Sequence, residues 1–433
     1  MKPSFYNVFF PLKSDYVLFN TFRGAIFTVD SEVKELLEKN DTHSLDEELR
    51  EEFQKNGVIV EDDLDELEMV NAVYEESKYE ALTTTLHVIT TYDCNLACTY
   101  CHEGKGDQET KYMDEKTAKV ASKFIENLTA ENFSKALAVE LFGGEPMLNM
   151  PVNLQIAEEL STWCEENDKV FFLITVTNGT LMTEKNVEDL AQYNSGFLIT
   201  LDGPKEFHDR RRVHKDKTGT FDDIIAGMHR AHDLGLEISA RIHIDESNMD
   251  HIGSLYQLLR DEGLNKVKIS FRQVFHTSPA CLSNMYCIPD IRGLKAVNQL
   301  YSAARGMSLG AEAPEEPSLP GACPAQKVSY FTLDPYLRLY KCAILPPSEK
   351  NAVGYINTED SRPVFNSVHT DFFSRDLISQ KECTDCKLLP SCRGGCPAEI
   401  FITHKTTQKT VCRKAELYQT VGETVMNFAR RHM

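Results

Sequence analysis

Hydrophobic and polar positions follow one rhythm in the first 80 residues and another after them. "NVFFPL", "DYVLFN" and "GAIFTVD" are short apolar runs separated by polar or glycine-containing breaks, which predicts three strands. "SEVKELLEKN" and "SLDEELREEFQKNG" then space their apolar residues as helices do, with Ser44 and Glu47 as a capping box and Gly57 as the C-terminal stop. A short "VIV" precedes a third helix from about Asp62. Residues 1–80 therefore read as a winged-helix-like module of three strands and three helices.

From residue 82 strands and helices alternate. Strands are expected at "TTTLHVIT", "ALAVELF", "VFFLITVT", "GFLITL", "LEISARIHI" and "KVKISFRQV". After Met113, Ala121, Phe124, Ile125 and Leu128 make one apolar helix face to cover the sheet. Six such units over residues 81–280 predict an α/β fold, a partial (β/α)6 barrel with a parallel sheet. Beyond about residue 280 the alternation fades into Cys-rich sequence with one more helix, "DIRGLKAVNQLYSAARG", and residues 281–433 form a third domain.

Charge narrows the partners. The net charge is -20, and residues 31–80 hold about 18 acidic against about 5 basic residues, which would repel a phosphate backbone and so exclude nucleic acid despite the winged-helix pattern. The third strand, Gly24 to Asp30, could instead accept a peptide as an added strand, and a packing or dimerisation role is the alternative. No run reaches the roughly 20 apolar residues of a membrane helix. The apolar start is interrupted by Pro11, Lys13 and Asp15, unlike a signal peptide, so a cytoplasmic protein is expected. Thirteen cysteines in such a chain suggest metal ligands rather than disulfides.

Chemistry-bearing residues fall after the strands. "CNLACTYC" follows the first, with Cys94, Cys98 and Cys101; "GGEP" follows the second, "NGT" the third and "DGP" the fourth. Three thiolates can bind three irons of a 4Fe-4S cluster and leave the fourth iron without a protein ligand. Zinc remains the alternative from the residues alone. Cys164 shares an apolar helix face with Ile156, Leu160 and Trp163 and reads as a buried core thiol.

"CNLACTYC", with the aromatic Tyr100 before its last cysteine, resembles the CxxxCxxC motif of radical SAM enzymes. The resemblance implies that the open iron is chelated by S-adenosylmethionine, whose cleavage yields a 5'-deoxyadenosyl radical that abstracts a substrate hydrogen. It also implies cofactor contacts in the other loops. Gly143, Gly144 and Glu145 match the GGE motif: the glycines would let the backbone approach the ligand and Glu145 would pair with the SAM ammonium. Thr177, Asn178, Thr200 and Asp202 match loops near the SAM ribose and methionine, with Thr at 200 where the family usually has Ser. Arg241 on the fifth strand matches an arginine that pairs with the SAM carboxylate, a structural ion pair being the alternative. His102, Glu103, His208 and Arg210 to Arg212 lie in or near these loops without an assigned role.

"CTDCKLLPSCRGGCPAEI" resembles the SPASM extension of these enzymes, which carries two auxiliary 4Fe-4S clusters and brings the total to three. By that resemblance Cys383, Cys386, Cys392 and Cys412 hold the outer cluster. Cys323, Cys342 and Cys396 hold the inner one, with its fourth ligand supplied by Cys281 or Cys287 or left open to substrate. The pattern expects Gly at 337, where this chain has Leu.

SPASM enzymes mostly modify peptides, and the N-terminal module resembles the recognition element of ribosomal peptide maturases, which holds a precursor's leader. The resemblance thus implies a peptide maturase that forms a Cys-to-carbon thioether and takes electrons from a donor such as flavodoxin or ferredoxin. Carbon-carbon or carbon-oxygen crosslinking is the alternative. Sulfatase-maturase-like formylglycine formation comes next, although Ala343 stands where those relatives carry Asp. A non-catalytic iron-sulfur peptide sensor is the reading from another class.

Overall fold

The computed structural model describes residues 1–101, 111–245, 248–273, 310–311 and 321–432. His102, Glu103, Cys281, Cys287 and the helix expected at 290–306 lie outside the described residues. Those residues fall into two compact units. One joins Met1–Tyr79 to residues 321–323 and 374–432; the other holds the rest. Contacts separate Tyr79 from Glu80, and residues 324–373 group with the strands that precede them.

In the first unit β1 (Lys2–Pro3), β2 (Asn7–Leu12), β3 (Asp15–Asn20) and β4 (Ile26–Val29) precede α1 (Ser31–Glu38), α2 (Glu47–Lys55), β5 (Ile59–Val60) and α3 (Glu66–Ser77). β2, β3 and β4 form an antiparallel sheet with β3 in the centre and β4 on one outer side, and β1 pairs with β5. α2 starts two residues later than a cap at Ser44 requires. Asp46 is its N-cap and accepts from the N–H groups of Glu48 and Leu49, while Asp41 uses Ser44 to close a preceding short turn. Gly57 does stop the helix, at a φ of 70° that favours glycine.

The two faces of this sheet bury different partners. Leu18 and Val29 pack against α1 and α2 through Leu37 and Phe53. Val8, Phe10, Val17 and Phe19 pack instead against Leu388, Val421, Val425 and Ala429, the last three on the C-terminal helix Lys414–His432. Leu389, the next residue after Leu388, enters a second core with Tyr6, Phe22, Val70 and Tyr74. Thr21 Oγ1 donates to the Lys387 carbonyl at 2.5 Å and Lys387 Nζ donates to the Asn7 carbonyl at 3.1 Å. The loop between Cys386 and Cys392 is thereby embedded in the N-terminal module.

The second unit is built on β6 (Thr83–Thr91), β7 (Ala136–Gly143), β8 (Val170–Thr177), β9 (Ser195–Thr200), β10 (Glu237–Ile244) and β11 (Lys268–Gln273). These are the six expected strands, parallel and in chain order, followed by β12 (Gly310–Ala311). α4 (Glu115–Glu131), α5 (Met150–Glu166), α6 (Glu184–Ala191), α7 (Lys205–Arg211), α8 (Phe221–Asp233) and α9 (Ile252–Asp261) alternate with them. Leu86, Val139, Leu173, Ile199 and Ala240 are among the strand residues buried to 1% exposure or less. Cys164 on α5 is buried, as expected, and burial pushes its thiol up to about 11.

One extension was not legible. β13 (Tyr330–Leu333) adds to the free side of β6 in parallel, and β14 (Arg338–Tyr340), β15 (Gly354–Ile356) and β16 (Pro363–Phe365) continue the sheet antiparallel. The β13–β14 turn contains Leu337 at a φ of 60°, the left-handed geometry for which glycine is expected. Leu337 N–H donates to the Asp334 carbonyl at 2.9 Å, so the turn forms with Leu in place. Among the described residues no helix is long and apolar enough to cross a membrane.

Because Leu388 is buried between the Cys-rich loop and the N-terminal sheet, Leu388→Ala is expected to cost about 2–5 kcal/mol. Hydrogen exchange should quicken in β2 and β3 as well as around residue 388. Faster exchange confined to residues 380–395 would show that the two segments unfold independently.

Candidate active site

The loops that leave β6, β7, β8 and β9 meet at one end of the parallel sheet, in the second unit. After β6 the chain enters the cysteine loop. After β7, Gly144 N–H donates to the Thr91 carbonyl at 3.2 Å and Glu145 N–H to the Asp93 carbonyl at 2.9 Å. A Cβ at Gly143 would stand 2.4 Å from the Thr91 carbonyl oxygen, and one at Gly144 would stand 2.2 Å from that of Asp93. The glycines are thus required by the chain's own backbone, just ahead of Cys94, and not only by a ligand.

Glu145 is fully buried, and most of its capacity is used by the protein. Oε1 accepts from Met147 N–H at 3.1 Å and Thr177 Oγ1 at 2.8 Å, and Oε2 accepts from Asn178 N–H at 2.8 Å. A carboxylate offers about four acceptor positions, so one is left for a ligand ammonium. Within the protein, Glu145 locks the loop after β7 to the loop after β8. Burial raises its pKa, against the lowering effect of those hydrogen bonds. Asn178 completes the link to the cysteines, since Nδ2 donates to Asn95 Oδ1 at 2.9 Å and lies 3.7 Å from Cys94 Sγ.

Asp202 organises the other side. Its buried carboxylate accepts from Tyr100 OH through Oδ2 and from His243 N–H at 2.9 Å through Oδ1. Its carbonyl accepts from Asn248 Nδ2 at 2.7 Å, and its N–H donates to His208 Nδ1 at 3.1 Å. Burial alone would raise its pKa, yet Arg211, His243 and Arg212 hold it well below the usual carboxylate range. Arg212 Nη1 donates to Tyr100 OH at 2.8 Å, and the Arg211 guanidinium lies over the Tyr100 ring, 4.7 Å from its centre. Thr200, nearly buried, pairs in register with Arg241.

Polar residues also line one face of the strands. His87 on β6 pairs in register with Glu140 on β7, and His87 Nδ1 lies 3.3 Å from Glu140 Oε2. Arg241 and His243 occupy alternate positions on β10, and the Arg241 charge acts on both histidines, whose pKa values are lowered first of all by burial. Sequence reasoning found Arg241 but passed over His87, Glu140 and His243. The signal was present: each interrupts an otherwise apolar strand at a period of two.

Within each cysteine set, neighbouring thiols stand near enough for their charges to interact. Burial pushes the Cys94 thiol up to about 12, and Cys98 and Cys101 add to the rise, so a negative charge on one is felt by the others. In the first unit Cys383 is pushed up to about 11 by burial and then by Cys392, Cys386 and Cys412, the four thiols expected to share one cluster. Soft thiolates in such sets suit iron-sulfur clusters. As the side chains stand, no group of three His, Cys, Asp or Glu among the described residues could hold a metal ion. Cys323 and Cys396 fall in the first unit and Cys342 in the second. Asp334, also missed, ties the start of the cysteine loop to β14: it accepts from Tyr92 OH and Tyr340 OH, each at 3.1 Å, and from Arg338 Nε at 2.7 Å.

Two outcomes follow from this geometry. Gly144→Ala should reduce iron uptake by displacing residues 92–93, while circular dichroism stays close to wild type; unchanged iron content would show that the loop tolerates the shift. His208 is held neutral, at a pKa of about 3, by burial, helped by Arg212 and Arg211 and opposed by Asp202. Because Nδ1 accepts, Nε2 carries the proton and faces Thr220 Oγ1 at 3.0 Å. The unfolded state binds this proton near pH 6.5 and the folded state does not until about pH 3, so stability is lost as pH falls between them, by about 1.4 kcal/mol per pH unit. His208→Gln should flatten that part of the slope in denaturant titrations.

Comparison with known proteins agrees with this geometry. Residues 88–259 match the Radical SAM superfamily. The cysteine-type anaerobic sulfatase-maturating enzyme of Clostridium novyi is 23% identical over 70% of this chain and 85% of its own length. The radical SAM cyclopropyl synthase TigE of Paramaledivibacter caminithermalis is 24% identical over 45% of this chain and 47% of its own. Among solved structures, anSMEcpe with bound AdoMet aligns with a TM-score of 0.62 at 18% identity, covering 81% of this chain and 100% of that one. Streptococcus suis SuiB bound to its precursor peptide SuiA aligns with a TM-score of 0.53 at 14% identity, covering 95% of this chain and 99% of that one. Residues 88–259 of the chain therefore carry a radical SAM domain.

Proposed function

We propose that this enzyme is a maturase of a ribosomally made precursor peptide and joins a cysteine sulfur to a carbon of the same peptide. The observation that carries the reading is the first unit, in which a three-stranded module with β4 at its outer side shares its cores with the Cys-rich segment. An outer strand can hold an extended leader by strand addition, and tethering raises the core peptide's effective concentration at the barrel. The alignment with SuiB spans this module as well as the barrel, 95% of the chain against 81% for anSMEcpe.

SAM and a reduced 4Fe-4S cluster, when bound, supply the oxidising power to remove a hydrogen atom from carbon. Cys94, Cys98 and Cys101 would hold that cluster; Tyr100, Gly143, Gly144, Glu145, Thr177, Asn178, Thr200, Asp202 and Arg241 would surround SAM. A thioether requires that a C–H and an S–H bond break and a C–S bond form, with the thiol proton passing to a base. SAM would supply the acceptor for the hydrogen atom, and the C-terminal cysteines would hold an auxiliary iron-sulfur cluster that supplies the acceptor for the remaining electron. A flavodoxin- or ferredoxin-class donor would reduce the first cluster.

A second reading has its own support. Sulfatase-maturating enzymes resemble the chain over 70% of its length, so formylglycine formation on a Cys or Ser is the competing activity. Ala343, where those enzymes carry Asp, counts against it.

Anaerobic coexpression with a short cysteine-containing reading frame beside the gene separates these activities by mass before and after thiol alkylation. Loss of two hydrogens with fewer alkylatable cysteines is expected. Loss of two hydrogens with every cysteine still reactive means a crosslink without sulfur, and an aldehyde in place of a Cys or Ser side chain means formylglycine.

A further inference from the structure

Arg212 is a buried cation that makes no direct ion pair with a carboxylate among the described residues. Its side chain makes one hydrogen bond, to the neutral Tyr100 hydroxyl, and Nε is buried with no hydrogen-bond partner among the described residues. The adjacent Arg211 differs, since its Nη2 lies 3.0 Å from Asp245 Oδ2 and its Nε 3.9 Å from Asp202 Oδ2. Asp202 reaches Arg212 only through the Tyr100 hydroxyl that both engage, and a buried charge is costly unless it is well paired, so a further negative charge beside Arg212 is favoured.

The position of that charge follows from the backbone. Ala97 N–H donates to the Val213 carbonyl at 2.8 Å and Thr99 N–H to the Arg211 carbonyl at 2.9 Å, which lays the segment around Arg212 along the loop that carries Cys98. The Arg212 carbonyl is itself fixed by Thr220 Oγ1 at 2.9 Å, and its N–H by the His208 carbonyl at 2.9 Å.

We propose that Arg212 is the counter-charge of the iron-sulfur cluster on Cys94, Cys98 and Cys101, and that, positioned by Tyr100, it raises that cluster's reduction potential. This rests on the assignment of that loop to a 4Fe-4S cluster. Net charge and hydrogen bonding around a cluster set its potential, and a fixed cation favours the state with one more electron. Asp202, on the far side of Tyr100, acts with the opposite sign. The arrangement makes the cluster easier to reduce by a physiological donor.

The test uses the full chain reconstituted anaerobically with iron and sulfide, as wild type, Arg212→Gln, Arg212→Lys and Asp202→Asn. Iron content is measured first. Potentiometric titration is then followed by electron paramagnetic resonance, with the signal that changes on adding SAM taken as the cluster on this loop. Arg212→Gln should lower the reduced-to-oxidised ratio about tenfold at the wild-type midpoint, which is about 59 mV for one electron. Arg212→Lys should stay near wild type, and Asp202→Asn should shift the other way. An unshifted Arg212→Gln, or a shift of the same sign in Arg212→Gln and Asp202→Asn, overturns the proposal. Should Arg212→Gln lose iron, the remaining two decide: a wild-type-like Lys with a raised Asn supports it, and an unshifted Asn overturns it. A wild type with full iron and no SAM-responsive signal removes the cluster assignment itself, and the proposal falls with it.

Discussion

The buried carboxylate of Asp202 is the interaction on which the rest of the active site depends. One side chain at the end of β9 gathers the cysteine loop through Tyr100 and strand β10 through the His243 amide, while its backbone engages His208 and Asn248. A charge at that depth is tolerable only while its partners remain cationic or donate hydrogen bonds. Arg211 and Arg212 meet that demand from the next segment of chain, and the same two arginines border the cysteine loop. Position and charge of the cysteine loop are therefore set by one connected network, and its members cannot be altered independently.

A second lock, with a different physical basis, holds the opposite side of the loop. Gly143 and Gly144 allow main chain to pass main chain, and Glu145 then spans from the β7 loop to the β8 loop. Gly143, Gly144 and Glu145 thus have a structural purpose within the protein itself. This favours preorganisation, because the loops that would receive SAM are already joined to the loop that would hold iron.

In the first unit the embedded loop between Cys386 and Cys392 packs against segments more than 300 residues away in the sequence. Leu388 and Leu389 enter separate cores of the N-terminal module, and Arg375 gathers the loops on the other side, donating to carbonyls of Thr407, Lys409 and Gly394. The Cys-rich segment and the N-terminal sheet are thereby coupled in stability through shared apolar contacts.

Much of the barrel was legible because its signals are local. Strand and helix periods placed β6 to β11, and glycine, aspartate and cysteine fell where strands end, since a parallel sheet delivers its loops to one side. The amphipathic face that buries Cys164 could be read in the same way. What the sequence left open depends on contacts between distant residues. Nothing near Leu388 announces a partner in β2 or β3, and nothing in "DRRRV" separates the paired Arg211 from Arg212, because burial and pairing arise only when segments far apart in the chain meet. Strand order beyond β6, the αL turn at Leu337 and the use of Glu145 by its own protein likewise belong to the tertiary structure. Sequence by itself determined which chemistry the loops can carry; the fold decided which charges stand beside it, since electrostatics depends on distance and burial rather than on order along the chain.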